Sequence, residues 1–144
     1  MTPARRGPPR TIPARAAALA SAVALAACAS FERRLEYGAL QSEAMLKEMR
    51  YAVYTPPGWT RAERLPLVLF LHGGGDDEDC FDRWGIGQTL DRAIAAGEAP
   101  RVVVCVPEGE RGFWEDWHDG SHRYREWVLE DLVPHVRKRY GVEP

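Results

Sequence analysis

An apolar run that leads directly into three consecutive glycines is the feature that most constrains the fold of this 144-residue chain. Residues 67–71 are all apolar and end at His72, and Gly73, Gly74 and Gly75 come next. A continuous apolar run is typical of a central strand that is covered on both faces. Because glycines leave their backbone N–H groups unobstructed, the segment that follows is a candidate oxyanion hole, a site that stabilises a carbonyl oxygen as it gains negative charge.

The rest of the chain predicts strands that alternate with helices. Residues 48–54 alternate polar and apolar side chains, as a half-buried strand does, and residues 101–106 predict a second central strand that is apolar from residue 102 onward. Residues 86–96 and 123–140 predict helices, and Pro134 should kink the second one. Five of its apolar side chains recur every four residues: Tyr124, Val128, Leu132, Val136 and Tyr140. This order predicts an α/β fold with parallel strand pairs joined by right-handed crossovers.

The first 28 residues have the composition of a secretory signal peptide. Four arginines and no acidic residue precede the apolar run 16–27, which is too short to span a bilayer comfortably. Residues 25–28, Leu-Ala-Ala-Cys, resemble a bacterial lipobox. Cys28 is therefore the predicted lipid-attachment site of a protein exported to the cell envelope or periplasm. A signal peptide cut nearby, with Cys28 incidental, is the alternative.

Beyond Cys28 the chain is acidic. Four of the 19 basic residues precede Cys28 and all 21 acidic residues follow it, which leaves a net charge of −6 for the remainder. This charge argues against nucleic acid as a partner and against attraction to an anionic membrane surface. Membrane attachment would therefore come from the lipid alone.

The sequence predicts no metal and no cofactor. It has no Cys-x-x-Cys spacing, and the acidic run 76–79 lacks the glycine and the distant glutamate of a calcium-binding loop. A solvated acidic loop is the favoured interpretation of that run. Cys105 lies within an apolar strand and Cys80 within a loop. A disulfide between them and a pair of unlinked cysteines both remain open.

Four blocks of sequence, in this order, resemble the family described as "Putative esterase". That family belongs to the α/β-hydrolases and includes feruloyl esterases, S-formylglutathione hydrolase and antigen 85-like proteins. The blocks are residues 51–58, 65–75, 103–109 and 130–136. The resemblance implies an incomplete α/β-hydrolase fold: a partial, mostly parallel sheet flanked by helices, truncated before the nucleophile. The resemblance covers residues 47–144, which it assigns to the N-terminal part of the hydrolase domain. Composition assigns residues 1–28 to a signal peptide with a lipobox and 29–46 to a linker or edge strand.

The same resemblance implies that backbone amides of Gly73, Gly74 and Gly75 supply half of an oxyanion hole. In this fold a Gly-x-Ser-x-Gly elbow carries the nucleophile, and the acid and the base follow it in the chain. None of the four serines lies in such an elbow. We therefore predict an exported serine carboxylesterase acting on a small-molecule ester, with no catalytic residue in these 144 residues and no activity on their own. A non-catalytic lipoprotein remnant that at most binds a ligand is the alternative.

The four histidines and Ser121 are the remaining side chains that could be taken for catalytic groups. Because His72, His118, His122 and His135 all precede the missing elbow, we expect each to be a packing or surface residue. Ser121 lies beside His122 and close to an aspartate. Adjacent side chains rarely face each other productively, so we do not expect Ser121 to be a nucleophile.

The loop 108–122 interleaves aromatic and acidic side chains. Trp114 and Trp117 could stack on a sugar or phenolic ring of a substrate, because ligands of open α/β sheets bind beyond the carboxyl ends of the strands. They could equally cover the core.

Overall fold

The computed structural model describes residues 35–143. The predicted signal segment and Cys28 lie outside these residues. The strands are β1 (Leu35–Ser42), β2 (Lys47–Tyr54), β3 (Leu67–Leu69) and β4 (Val103–Pro107), and they form one sheet in the order β1-β2-β4-β3. The helices are α1 (Cys80–Arg83), α2 (Ile86–Ala95), α3 (Tyr124–Glu126) and α4 (Val133–Tyr140). A π-helical segment (Trp127–Leu132) joins α3 to α4, and Arg61–Glu63 forms a 3-10 turn.

Over the described residues the sheet is mixed rather than mostly parallel. β1 pairs with β2 and β2 pairs with β4 in antiparallel fashion, and only β3 and β4 are parallel. The physical reason lies in the first connection, because the short turn at residues 43–46 can join only antiparallel neighbours. The parallel pair sends the chain after β3 and the chain after β4 to the same edge of the sheet.

β3 differs from the central, fully covered strand that its sequence predicts. It is only three residues long, and Val68 is 43% exposed. Among the described strands its neighbour is β4, and on its other side only Glu143 pairs with it, through a parallel bridge to Pro66. The N–H of Glu143 donates to the carbonyl oxygen of Leu65 at 3.0 Å. β4, in contrast, is buried along its whole length.

The sheet separates two apolar cores, and this separation decides the cysteine question. Cys105 lies in the core that packs against the π-helical segment and α4. Cys80 lies in the core on the other face, beside α2. Two thiols on opposite faces of a sheet cannot form a disulfide, and both are free. Burial raises the pKa of Cys80 to about 11 and that of Cys105 to about 12, so both thiols are inert core residues.

The predicted helix over residues 123–140 forms with a local change of hydrogen bonding. Pro134 has no N–H to donate, so the regular α-helical ladder cannot continue through it. The chain adopts the π-helical segment just before Pro134, where the N–H of Val133 donates to the carbonyl oxygen of Val128. None of the helices described here is long and apolar enough to cross a bilayer.

Candidate active site

The glycine loop, residues 73–75, lies beyond the carboxyl end of β3 and opens toward solvent. A Cβ atom added to any of the three glycines would have no neighbour within 4 Å. Gly75 has a φ of +90°, a conformation that favours glycine. Within residues 35–143, no acceptor takes a hydrogen bond from the N–H of Gly73, Gly74 or Gly75. The three amides that the sequence predicts as an oxyanion hole are therefore accessible and unengaged.

His72 links the glycine loop to the loop that follows β4 through hydrogen bonds of its side chain. Its side chain is buried, and the N–H of Gly109 donates to Nε2 at 3.2 Å. Nε2 therefore carries no proton, and Nδ1 donates to the carbonyl oxygen of Gly73 at 3.0 Å. Because both ring nitrogens have backbone partners, His72 has no nitrogen free for proton transfer. Its role in this geometry is structural.

Trp114 covers this junction. Its indole N–H donates to the carbonyl oxygen of His72 at 3.1 Å, and its ring lies edge-on to the imidazole at 5.0 Å. The backbone of Gly109 approaches so closely that a Cβ there would lie 2.3 Å from the Trp114 ring. Of the two interpretations of Trp114, the geometry favours the one in which it covers the core.

Trp117 has different surroundings. It is 44% exposed, and its ring contacts that of His122 with a centroid distance of 4.2 Å and an angle of 37° between the ring planes. His122 in turn stacks on Tyr124 at 5.8 Å. Tyr124 at one end of this row of rings is buried, whereas Trp117 at the other end is exposed. Trp117 therefore keeps the ability to stack on a ligand ring.

The other two predicted packing histidines lie apart from this stack. His135 accepts or donates a hydrogen bond at 2.9 Å with the hydroxyl of the buried Tyr51, and burial lowers its pKa. His118 is exposed.

Ser121 lies in an exposed turn with an arrangement that differs from a catalytic triad. Its hydroxyl donates to Asp119 at 2.7 Å and lies 3.0 Å from Nδ1 of His122. In a triad the histidine lies between the serine and the acid. Here the serine itself lies between them, so the aspartate does not orient the imidazole. Ser42, the other serine among the described residues, is fully buried and donates to Asp131.

A charged cluster that the sequence does not predict forms three residues beyond the glycine loop. Nε of Arg50 on β2 lies 3.0 Å from the Glu108 carboxylate and 3.1 Å from that of Glu78. Both glutamates are buried, with exposed fractions of 8% and 4%. Burial and the neighbouring Glu108 carboxyl raise the pKa of Glu78, and the Oε2 atom of Glu78 has no hydrogen-bond partner among the described residues.

The acidic run 76–79 is not solvated throughout, contrary to the prediction from the sequence, because one of its four side chains is buried. Asp76 and Asp77 form ion pairs with Arg83 at 2.9 and 3.1 Å, and Asp79 is exposed, whereas Glu78 points into the protein. The sequence does not mark Glu78 as the buried member of the four acidic residues, because its partners are distant in the chain. Residues 35–143 bring together no group of three or more His, Cys, Asp or Glu side chains suited to a metal ion.

Comparison with known families finds a match over most of the chain. The model of the family described as "Putative esterase" matches residues 42–144. The match includes the glycine loop, β4 with the loop after it, and the helical segments that lead to α4.

Solved structures show the same fold. A ferulic acid esterase superposes with a TM-score of 0.69 at 20% identity, over 75% of this chain and 44% of that one. The feruloyl esterase module from Clostridium thermocellum, solved with sinapinate, gives 0.61 at 22% identity, over 76% and 37%. S-Formylglutathione hydrolase from Agrobacterium tumefaciens gives 0.59 at 21% identity, over 76% and 45%. The chain thus spans less than half the length of these relatives, and a partial fold of the α/β-hydrolase type is confirmed.

Proposed function

The chain belongs to the "Putative esterase" family, and from this premise we propose that its glycine loop binds the oxyanion in the hydrolysis of a carboxylic ester. The observation that supports the proposal best is the set of unengaged amides at Gly73, Gly74 and Gly75, held at the carboxyl end of a parallel strand pair. Amides fixed in this way need no reorganisation when the carbonyl oxygen becomes negative. They stabilise the transition state more than the substrate.

The nucleophile in this proposal comes from a Gly-x-Ser-x-Gly elbow beyond β3. Glu143 pairs in parallel with Pro66, so a strand that continued from Glu143 would run beside β3 toward the glycine loop. At the usual rise of a strand, it would reach the loop after about seven residues. An elbow at that point would place the serine beside the glycine amides, with its own following amide as the second oxyanion donor.

The direct test compares the 144-residue chain with the same chain extended by its in-frame continuation. We expect the 144 residues alone to hydrolyse p-nitrophenyl acetate no faster than buffer, and Ser121→Ala to change nothing. The extended chain should hydrolyse the ester and bind a fluorophosphonate probe covalently at the elbow serine. Methyl ferulate is a useful second substrate, because two of the similar structures are esterases of aromatic acids.

Two outcomes would contradict the proposal. Turnover by the 144-residue chain that Ser121→Ala abolishes would place the nucleophile in the exposed turn. An in-frame continuation without an elbow serine, or with one that neither reacts with the probe nor supports turnover, would favour a non-catalytic lipoprotein.

We also propose that the protein is exported and lipid-anchored through Cys28. The support is the sequence of residues 1–28 alone. Replacing Cys28 by serine should move the protein from the membrane fraction to the soluble fraction of a bacterial host, and should prevent incorporation of labelled palmitate. Membrane association that persists in Cys28→Ser would overturn the lipid anchor and leave simple secretion as the alternative.

A further inference from the structure

The cluster of Arg50, Glu78 and Glu108 places two buried carboxyl groups against one guanidinium. Nε of Arg50 contacts both, at 3.1 Å from Glu78 and 3.0 Å from Glu108, and Nη2 adds a 2.5 Å contact to Glu108. Glu108 also accepts the N–H of Glu110 at 3.3 Å. Glu108 therefore has the hydrogen bonds that an ionised carboxylate needs, whereas Glu78 faces both Arg50 and the Glu108 carboxyl, and its buried Oε2 atom has no hydrogen-bond partner among the described residues.

The charges of this cluster do not balance if both glutamates are ionised. One guanidinium compensates one carboxylate, and the Arg50 side chain is 61% exposed, so water screens part of its charge. Burying a second carboxylate with one oxygen unpaired is costly, and such a group takes up a proton more readily. Two carboxyl groups at one site commonly share a single proton for this reason.

The position of Glu78 in the chain connects this proton to the glycine loop. His72 fixes the start of the loop, and the N–H of Asp76 donates to the carbonyl oxygen of Gly73 at 3.2 Å. Glu78 fixes the end of the same segment against β2 and the end of β4. The segment between these two attachments carries all three glycines.

We propose that Glu78 is a positioning residue for the glycine loop, held as the neutral acid against Arg50 and the Glu108 carboxylate, and that its ionisation loosens the loop. Ionisation releases one proton to solvent and leaves two carboxylates facing one guanidinium. The consequence for catalysis rests on the proposed function, since it requires the loop to be an oxyanion hole. The attachment itself does not, and it can be measured without a substrate.

The direction of the pH effect follows from the surroundings of Glu78. The groups that face it are Arg50 from β2 and Glu108 after β4, while Asp77 acts on Arg50 and is itself paired with Arg83. Burial raises the pKa of Glu78 above its value in the unfolded chain. Stabilisation by the neutral form is therefore complete below the ordinary pKa of a glutamic acid and is lost as the pH rises through the raised value.

Hydrogen exchange at the amides of Asp76 and Cys80, which donate to the carbonyl oxygens of Gly73 and Asp77 in the same segment, tests this attachment in the full chain. After correction for intrinsic rates, we expect wild-type protection to fall about tenfold between about pH 5 and about pH 8, a typical coupling for residues in contact. Glu78→Gln, which keeps the shape of the neutral acid, should retain protection at both pH values. Glu108→Gln should also remove the pH dependence, because Glu78 can then ionise against Arg50 without a neighbouring charge.

Asp79→Asn is the matched control, since it removes one negative charge from the same segment at an exposed position. It should leave the pH dependence of the wild type unchanged. Equal pH dependence in wild type and Glu78→Gln would overturn the proposal. So would a loss of protection in Glu78→Gln at both pH values, which indicates that Glu78 acts only as a fixed ionic contact. Neither result depends on whether the extended chain hydrolyses an ester, so the positioning role of Glu78 and the proposed function can fail separately.

Discussion

Trp127→Ala should cost about 5 kcal/mol of unfolding free energy, a large part of the stability of an ordinary domain. The Trp127 side chain is fully buried in the core between the sheet and α4. Its removal leaves a cavity, which for tryptophan costs about 3–5 kcal/mol. Its indole N–H also donates to the carbonyl oxygen of Glu108 at 3.1 Å. That buried acceptor loses its partner, which adds about 1–3 kcal/mol.

Urea unfolding followed by far-ultraviolet circular dichroism measures this effect without relying on tryptophan fluorescence. Trp127→Phe keeps most of the packing and loses the N–H, so it should cost about 2 kcal/mol. Trp84→Ala is the control, because Trp84 is 54% exposed and its loss should cost about 1 kcal/mol or less. If Trp127→Ala destabilised the chain no more than Trp84→Ala does, the packing described for Trp127 would be wrong.

The loss of Trp127 should also reach the glycine loop. Glu108 receives the indole N–H on its carbonyl oxygen and Arg50 on its carboxylate, and the next amide, Gly109, donates to His72. These contacts form a continuous connection from the π-helical segment to the start of the loop. Trp127→Ala should therefore lower the hydrogen-exchange protection of the Asp76 and Cys80 amides more than global destabilisation alone explains.

The sequence predicts the elements of the fold better than their surroundings. A continuous apolar run distinguishes a strand from a helix, but it does not say how many neighbours that strand has. β3 and β4 carry similar runs, yet β4 is buried throughout and Val68 on β3 is 43% exposed. The difference depends on which segments pair with each edge, a long-range property that local composition does not encode.

In the helical segment before Gly141, the four-residue period of apolar side chains indicates a departure from a regular α-helix. Positions four residues apart drift by about 40° per step on an α-helix, so five of them should not share one face. All five are nevertheless buried: Tyr124, Val128, Leu132, Val136 and Tyr140. The wider turn of the π-helical segment compensates for the drift. A strict four-residue period that runs into a proline is therefore a signal for such a segment.

The candidate site also has parts that the sequence predicts and one part that depends on long-range packing. The glycine loop and the structural role of His72 follow from the order of residues along the chain, since strand, glycines and fold type are local or motif-based features. The cluster at Glu78 does not, because residues 76–79 are four acidic side chains in a row and nothing local marks Glu78 as the buried one. Its partners come from β2 and from the end of β4. Burial of one acid among four is decided by tertiary packing.

The strongest expected effect on catalysis is the loss of one glycine-loop amide. Gly74 is the position to change, because a Cβ there meets nothing within 4 Å and its φ is outside the left-handed region that Gly75 occupies. In the extended chain that carries the elbow, Gly74→Pro removes an N–H donor. We expect it to lower kcat about 10²–10³-fold, the usual effect of deleting one oxyanion donor.

Gly74→Ala separates the donor from the steric effect of the change. Alanine adds a methyl group and keeps the N–H, so its kcat should stay within about tenfold of wild type, while proline removes the N–H. KM for p-nitrophenyl acetate should change little in both variants, because an oxyanion donor acts mainly on the transition state. Urea midpoints that match wild type establish that both variants are folded. Equal losses of kcat in the alanine and proline variants would show that the shape of the loop matters and that the Gly74 amide is not a donor to the oxyanion.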